Sequence, residues 1–242
     1  MLKSIIQFSP TETVSREQAE RHYSDIHIAM AQKLFTFHVD NLERYVPQRA
    51  VSQYDIAGGF NLVPIDAWRF VFLHYDSLPY IPHEWRDLVS GDHENCVEDI
   101  RSYVVDDERT MVDRRSGQMT SAKFVFSFGG QSPGNADLSN VISRIAEQFG
   151  SAPGARLLIV NDVSQKRKSE ARARPGQQTT SLLEPSDVCA FVEFYFDHWR
   201  WGETFFARED IRLDLLIRSG SETTKGYRVV EEIGYDRRRP IP

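Results

Sequence analysis

Cysteine is scarce in this 242-residue chain: only Cys96 and Cys189 occur, far apart in sequence. That excludes a disulfide framework and a four-ligand structural zinc motif, and it fits a reducing, cytoplasmic setting. Long apolar runs are missing too. No stretch approaches the ~20 residues that cross a bilayer. The opening MLKSIIQFSPTETV lacks an apolar run with a small-residue cleavage site, so no signal peptide is expected. Positive charge is not in excess, since 29 Lys and Arg against 35 Asp and Glu leave a net charge of −6. A general nucleic-acid binder needs a basic face to neutralise phosphates, so that class is excluded. Phosphate and dinucleotide motifs of the GxxxxGK[ST] and GxGxxG types do not occur, nor does a GxSxG elbow; GGQSPG at 129–134 is a loop sequence.

What is present can build a core, because hydrophobic residues make up 40% of the chain and aromatics 12%. The chain also resembles itself. KSIIQFS at 3–9 and KFVFSFG at 123–129 are apolar runs opened by lysine, 120 residues apart. RFVFLHYDS at 69–77 matches AFVEFYFDH at 190–198 in pattern, at an offset of 121. Two equal halves with one element order follow from these offsets. In the first half, residues 1–118, the patterns predict strands 3–9, 42–50, 67–76 and 104–114, a helix 16–37, and helices between 82 and 103. In the second half, 119–242, they predict strands 122–128, 155–163, 187–197 and 226–236 and helices 137–149 and 199–219. Each half reads β-α-β-β-α-β, the ferredoxin-like unit, and the fold class is α+β: two such tandem repeats packed as an intramolecular barrel. Residues 164–185 interrupt the second half as a basic excursion carrying Lys166, Arg167, Lys168, Arg172 and Arg174, a solvated hairpin or a lid.

The stretch RHYSDIHIAM, 21–30, holds the densest chemistry. Ser15 and Gln18 have capping-box spacing, so a helix starts there. At about 100° per residue, Ala19, Tyr23, Ile26, His27, Met30, Leu34 and Phe37 share one stripe directed at the sheet. Tyr23 and His27, four apart, lie one above the other. His22 is five positions before His27, about 140° away on an α-helix, so the two are not expected to chelate one metal; His22 and Asp25 fall to solvent. His93 and Cys96 are three apart but lack further nearby ligands, and no metal site is expected. The residues alone leave His27 either as a hydrogen-bonded core histidine or as a pocket group able to move protons.

SREQAERHYSDIHIAMAQKLF followed by LERYVPQRAV resembles the opening of EthD-type proteins of the dimeric α+β barrel superfamily, with Tyr23, His27, Leu34, Arg44, Tyr45 and Val46 at the matching positions. EFYFD, 193–197, is similar to a later family pattern; FLHYD, 72–76, departs from it, with Phe72 where an acidic residue is usual. The second-half helix has neither histidine nor tyrosine. The resemblance implies a site in the first half, with the second completing the barrel. It implies cofactor-independent chemistry on a hydrophobic small molecule: a cyclase, isomerase, dehydratase or anthrone-type oxygenase. His27 is then the general acid or base, with Tyr45 and Tyr23 as partners, and His74, Tyr75, Met30 and His38 as substrate contacts. Strand alternation sends His74 and Tyr75 to opposite faces. The competing readings are a noncatalytic small-molecule-binding or scaffold barrel and a haem-binding barrel. Either a monomer or a homodimer is compatible with fused repeats.

Overall fold

In the computed structural model, residues 2–11, 13–77, 80–116, 122–129, 136–166, 170–171, 181–182, 187–217, 224–232 and 234–237 are described. The strands of the first half are β1 (Leu2–Pro10), β2 (Leu42–Asp55), the short β3 (Asn61–Val63), β4 (Arg69–Tyr75) and β5 (Val97–Asp113). Those of the second are β6 (Ala122–Gly129), β7 (Ala155–Lys166), the short β8 (Glu170–Ala171) and β9 (Ser181–Leu182), β10 (Val188–Phe196), β11 (Lys225–Glu231) and the short β12 (Tyr235–Asp236). Eight of them run in the order β1-β4-β2-β11-β6-β10-β7-β5, and β5 pairs back onto β1. Every pairing is antiparallel, and the ring is closed.

The two halves occupy the ring alike. The first contributes β5-β1-β4-β2 and the second β11-β6-β10-β7, so each half places its own first strand beside its third and fourth. Register follows the same rule. Lys3 is opposite His74 and Val105, and Lys123 is opposite Tyr195 and Val229. The strand-opening lysines therefore stand at matching sites across the barrel.

Helices cover the outside. The first-half layer is α1 (Arg16–His22), a π-helical turn at Tyr23–His27, α2 (Ile28–His38) and α3 (His83–Asp92). Ser15 and Gln18 cap α1 reciprocally as the spacing predicts. The second-half layer is α4 (Ala136–Ser151), α5 (Trp199–Phe206) and α6 (Glu209–Ile217). Gly202 lets α5 approach β6, since a Cβ there would meet the Phe124 ring at 2.2 Å. Among the described residues, no helix is long and apolar enough to cross a membrane.

Three predicted features need correction. The stripe on the first helix holds only in part beyond Tyr23: His27 and Leu34 are buried as predicted, but Ile26 and Phe37 are exposed and Met30 half-buried, whereas Ile28, Ala31 and Phe35 are buried. The π turn is the reason, because its i→i+5 bonding inserts one extra residue and rotates everything after it. Helix does not extend to 103, since strand begins at Val97; the charged residues Glu98, Asp99 and Arg101 sit half-buried on a 17-residue strand. Helix 199–219 is two short helices broken near Ala207. Most of the 164–185 excursion falls outside the described residues.

Candidate functional site

Both faces of the barrel sheet are buried, and alternation decides which side chains face the lumen and which face the helices. On β1, Lys3 and Ile5 face the lumen while Phe8 packs under the helices; on β4, Phe70, Phe72 and His74 face in while Val71, Leu73 and Tyr75 face out. Ile5, Phe70, Tyr103, Val125, Phe191 and Tyr227 pack together and fill part of the lumen. The rest holds a cavity of about 200 Å³.

Glu193 of β10 lines that cavity. It accepts hydrogen bonds from Lys3 Nζ (3.0 Å), Asn161 Nδ2 (2.9 Å) and Tyr195 Oη (3.0 Å), and Lys123 Nζ lies 2.6 Å away. The two lysines reach it from opposite strands of the ring. Lys3 also donates to Asn161 Oδ1 (2.6 Å) and to Glu108, and Lys123 to Glu231 (3.2 Å). Both ammonium groups lie over the Phe72 ring, 5.1 and 4.5 Å from its centroid. Burial pushes the Glu193 carboxyl up, but Lys123 and Lys3 outweigh it and hold the group well below the usual carboxylate range. Glu193 is therefore a fixed anion.

His74 lines the same cavity with Arg44, Val46, Gln48, Leu157 and Ile159. Burial, then Lys3 and Arg44, push its pKa down to about 3, so the imidazole is neutral at physiological pH. Tyr195 is pushed up by burial and by Glu193, and its hydroxyl stays protonated. Gln48 Oε1, fully buried on the wall, has no hydrogen-bond partner among the described residues. This arrangement can hold a small molecule with an apolar body against Val46, Phe72, Leu157 and Ile159 and a polar or anionic end near His74 and the lysines.

The remaining sequence candidates lie elsewhere. His27, Tyr23 and Tyr45 do not line the cavity: helices pack on the outer face of the sheet, and Tyr45 alternates outward between Arg44 and Val46. Burial pushes Tyr23 well up and Tyr45 to about 12, and their hydroxyls face one another without a well-aligned partner. His27 Nδ1–H donates to Asp92 Oδ2 (2.9 Å), and His93 Nε2 lies 3.2 Å from His27 Nε2. The His27 ring is sandwiched between Tyr23 and His93, at centroid distances of 4.5 and 4.4 Å. His22, expected at the surface, instead donates from Nε2 to Asp92 Oδ1 at 2.7 Å, because the π turn brings it round to the side of His27. Burial pushes the Asp92 carboxyl up, but the bonds from His27 and His22 prevail and lower it to about 2. Asp25 is exposed, as predicted. Tyr75 is buried on the outer face, and His38 is exposed, its ring tilted against Trp85 at a centroid distance of 4.6 Å.

Of the sequence candidates, His74 alone lines the cavity, which draws on both halves of the chain rather than the first alone. The residues sequence reasoning missed are Lys3, Lys123, Glu108 and Glu231. One signal for them existed in the paired lysines that open the matching strands.

No protein-family model matches the chain, and no curated protein matches it. Among solved structures it is similar to an anthrone oxidase-like protein, with a TM-score of 0.52 and 13% identity over 95% of this chain and 91% of that one. A candidate monooxygenase from Fusobacterium nucleatum subsp. nucleatum gives 0.49 and 9%, covering 98% and 97%. At such identities the likeness is one of fold. The chain is an α+β barrel of eight antiparallel strands closed within one polypeptide, a fold similar to that of the anthrone oxidase-like protein.

Proposed function

We propose that the protein is an enzyme that acts on a small organic molecule inside the barrel cavity, transferring a proton through His74 and stabilising an oxyanion with Lys3 and Lys123. The observation that carries this reading is the convergence of a neutral imidazole and two buried ammonium groups on one cavity. Isomerisation, dehydration, ring closure and cofactor-free oxygenation share a first step, loss of a proton beside a carbonyl or from a phenol. Burial is the main cause of the low His74 pKa; Lys3 and Arg44 add to it, and those cations also favour the anion of a bound acid. Moving its proton to His74 thus leaves the net charge of the cavity unchanged, and the anion left behind faces preplaced positive charge.

The resemblance to EthD-type proteins favours chemistry that needs no cofactor. Size narrows the substrate. A cavity of about 150 Å³ takes benzene, so about 200 Å³ suits a one-ring compound better than a three-ring anthrone. We read the two halves as copies of one unit, with Phe72 in the first at the place of Glu193 in the second. The test is a panel of one-ring enones, lactones and phenols, with anthrone alongside, followed by absorbance and oxygen uptake. His74→Gln should lower kcat/KM by about 10²–10⁴-fold. Full turnover by His74→Gln sinks the proposal.

A second reading keeps the chemistry under the first helix, with His27 as general base and Tyr45 and Tyr23 as donors. It is favoured by the Asp92–His27 bond and the unmatched tyrosine hydroxyls. It predicts loss of turnover in His27→Phe with His74→Gln unaffected.

A further inference from the structure

The opening helix does something that α-helical geometry forbids. Residues five apart on an α-helix diverge by about 140°, yet His22 and His27 reach the two oxygens of one carboxylate, Asp92, at 2.7 and 2.9 Å. The cause is the π turn, where Ile28 N–H bonds Tyr23 O, five residues back. Such turns carry a strain that sequences seldom keep without a use, and they gather at functional sites. Just past Asp92 the chain makes a 3-10 turn, His93–Asn95, which sets Cys96 four positions on. The Cys96 Sγ, the His22 ring nitrogen and an Asp92 oxygen all lie within 4.8 Å of one another.

We propose that His22, Asp92 and Cys96 form a binding site for a divalent transition-metal ion of the zinc class, on the outer face of the barrel and separate from the cavity. Donor chemistry selects the ion. A thiolate and an imidazole suit zinc and its neighbours and disfavour magnesium and calcium. Around a tetrahedral zinc, ligands at ~2.0–2.3 Å stand ~3.3–3.7 Å from one another, inside the 4.8 Å limit. The 2.7 Å contact between His22 and Asp92 must open and the Cys96 thiol must give up its 3.9 Å bond to Asp92 O, and His22 has room to swing because its side chain is 24% exposed. That exposure also gives the ion an entry path and leaves a fourth position towards solvent.

The surroundings hold the ligands in place. His27 Nδ1–H fixes Asp92 Oδ2 and leaves Oδ1 for the ion, and the His27 ring is itself clamped between Tyr23 and His93. Outer partners of this kind orient metal-binding carboxylates. Cys96 is fully buried, so its thiolate is shielded from bulk water. A divalent ion balances the Asp92 carboxylate and the Cys96 thiolate, and the thiol proton is released on binding.

The test uses the full chain, reduced with a phosphine, stripped with a chelator and titrated with Co²⁺. The expected result is one saturable site with a thiolate-to-cobalt charge-transfer band in the near ultraviolet and tetrahedral visible bands, both bleached by stoichiometric Zn²⁺. Cys96→Ser should remove the charge-transfer band. His22→Ala should raise the Kd for Co²⁺ at least tenfold, and it decides the matter if the buried Cys96→Ser fails to fold. Absence of a saturable spectrum, or a spectrum unchanged in His22→Ala, overturns the site.

Discussion

Glu193 shows how far one side chain can organise a lumen. It is the anion on which two buried lysines converge, so removing its charge leaves Lys3 to Glu108 and Lys123 to Glu231 alone. Glu193→Ala is expected to destabilise the protein by about 3–5 kcal/mol, the range for breaking a buried ion pair, measured by denaturant unfolding. A loss below 1 kcal/mol would mean that the lysines find other partners. His74 adds a pH dependence. Its unfolded pKa is near 6.5 and its folded pKa about 3, so between those values the unfolded chain binds the extra proton and stability falls as pH drops. Lowering the pH from 7 to 5 should cost about 2 kcal/mol through this group, and His74→Gln should lose that much less over the same interval. Asp92, lowered to about 2 by His27 and His22, contributes stability above its unfolded pKa that disappears only in stronger acid. In sequence, Glu193 was visible as the acidic lead of EFYFD and His74 as a strand histidine. Lys3 and Lys123 were seen only as strand openers, because a buried lysine is recognisable only beside the anion that neutralises it, and that anion is 190 residues from Lys3 in the chain.

At the scale of elements, the first helix and its cap were legible and its face was not. Capping-box spacing predicts the start at 16, but a single inserted residue at Tyr23–His27 exchanges Ile26 and Phe37 for Ile28, Ala31 and Phe35 on the buried side. Nothing in the residue types marks a π turn, since the tertiary contacts of Tyr23 and His27 sustain it. β5 misled for another reason: half-buried Glu98, Asp99 and Arg101 imitate the polar face of a helix. Across the barrel, α5 lies against β6 with Gly202 at the crossing. Gly202→Ala drives a methyl into Phe124 and should destabilise by about 1–3 kcal/mol, lowering Tm by ~2–12 °C for a chain of this size. An unchanged Tm would show that the helix can back away from the sheet.

For the molecule as a whole, the offsets of 120 and 121 led to the expectation of two halves of one strand order; the structure shows a closed ring in which β5-β1-β4-β2 and β11-β6-β10-β7 each lie side by side. Which residue faces the lumen was beyond the sequence. The β4 side chains are buried along its whole length, so apolar alternation gives no contrast between the helix side and the barrel side. The lumen belongs to both halves, with Ile5, Phe70 and Tyr103 from one packed on Val125, Phe191 and Tyr227 from the other. Residues 1–118 expressed alone should therefore self-associate or precipitate, and co-expression with 119–242 should restore one soluble species on size-exclusion chromatography. A monodisperse, monomeric 1–118 fragment would contradict this.

Part of the lumen is packed with apolar side chains, and the Lys3–Glu193–Lys123 bridge lines the cavity that remains. His74 and Arg44 line the cavity beside that bridge. On the proposed enzymatic reading, substrate and product share this one cavity, and inhibition by product should be competitive.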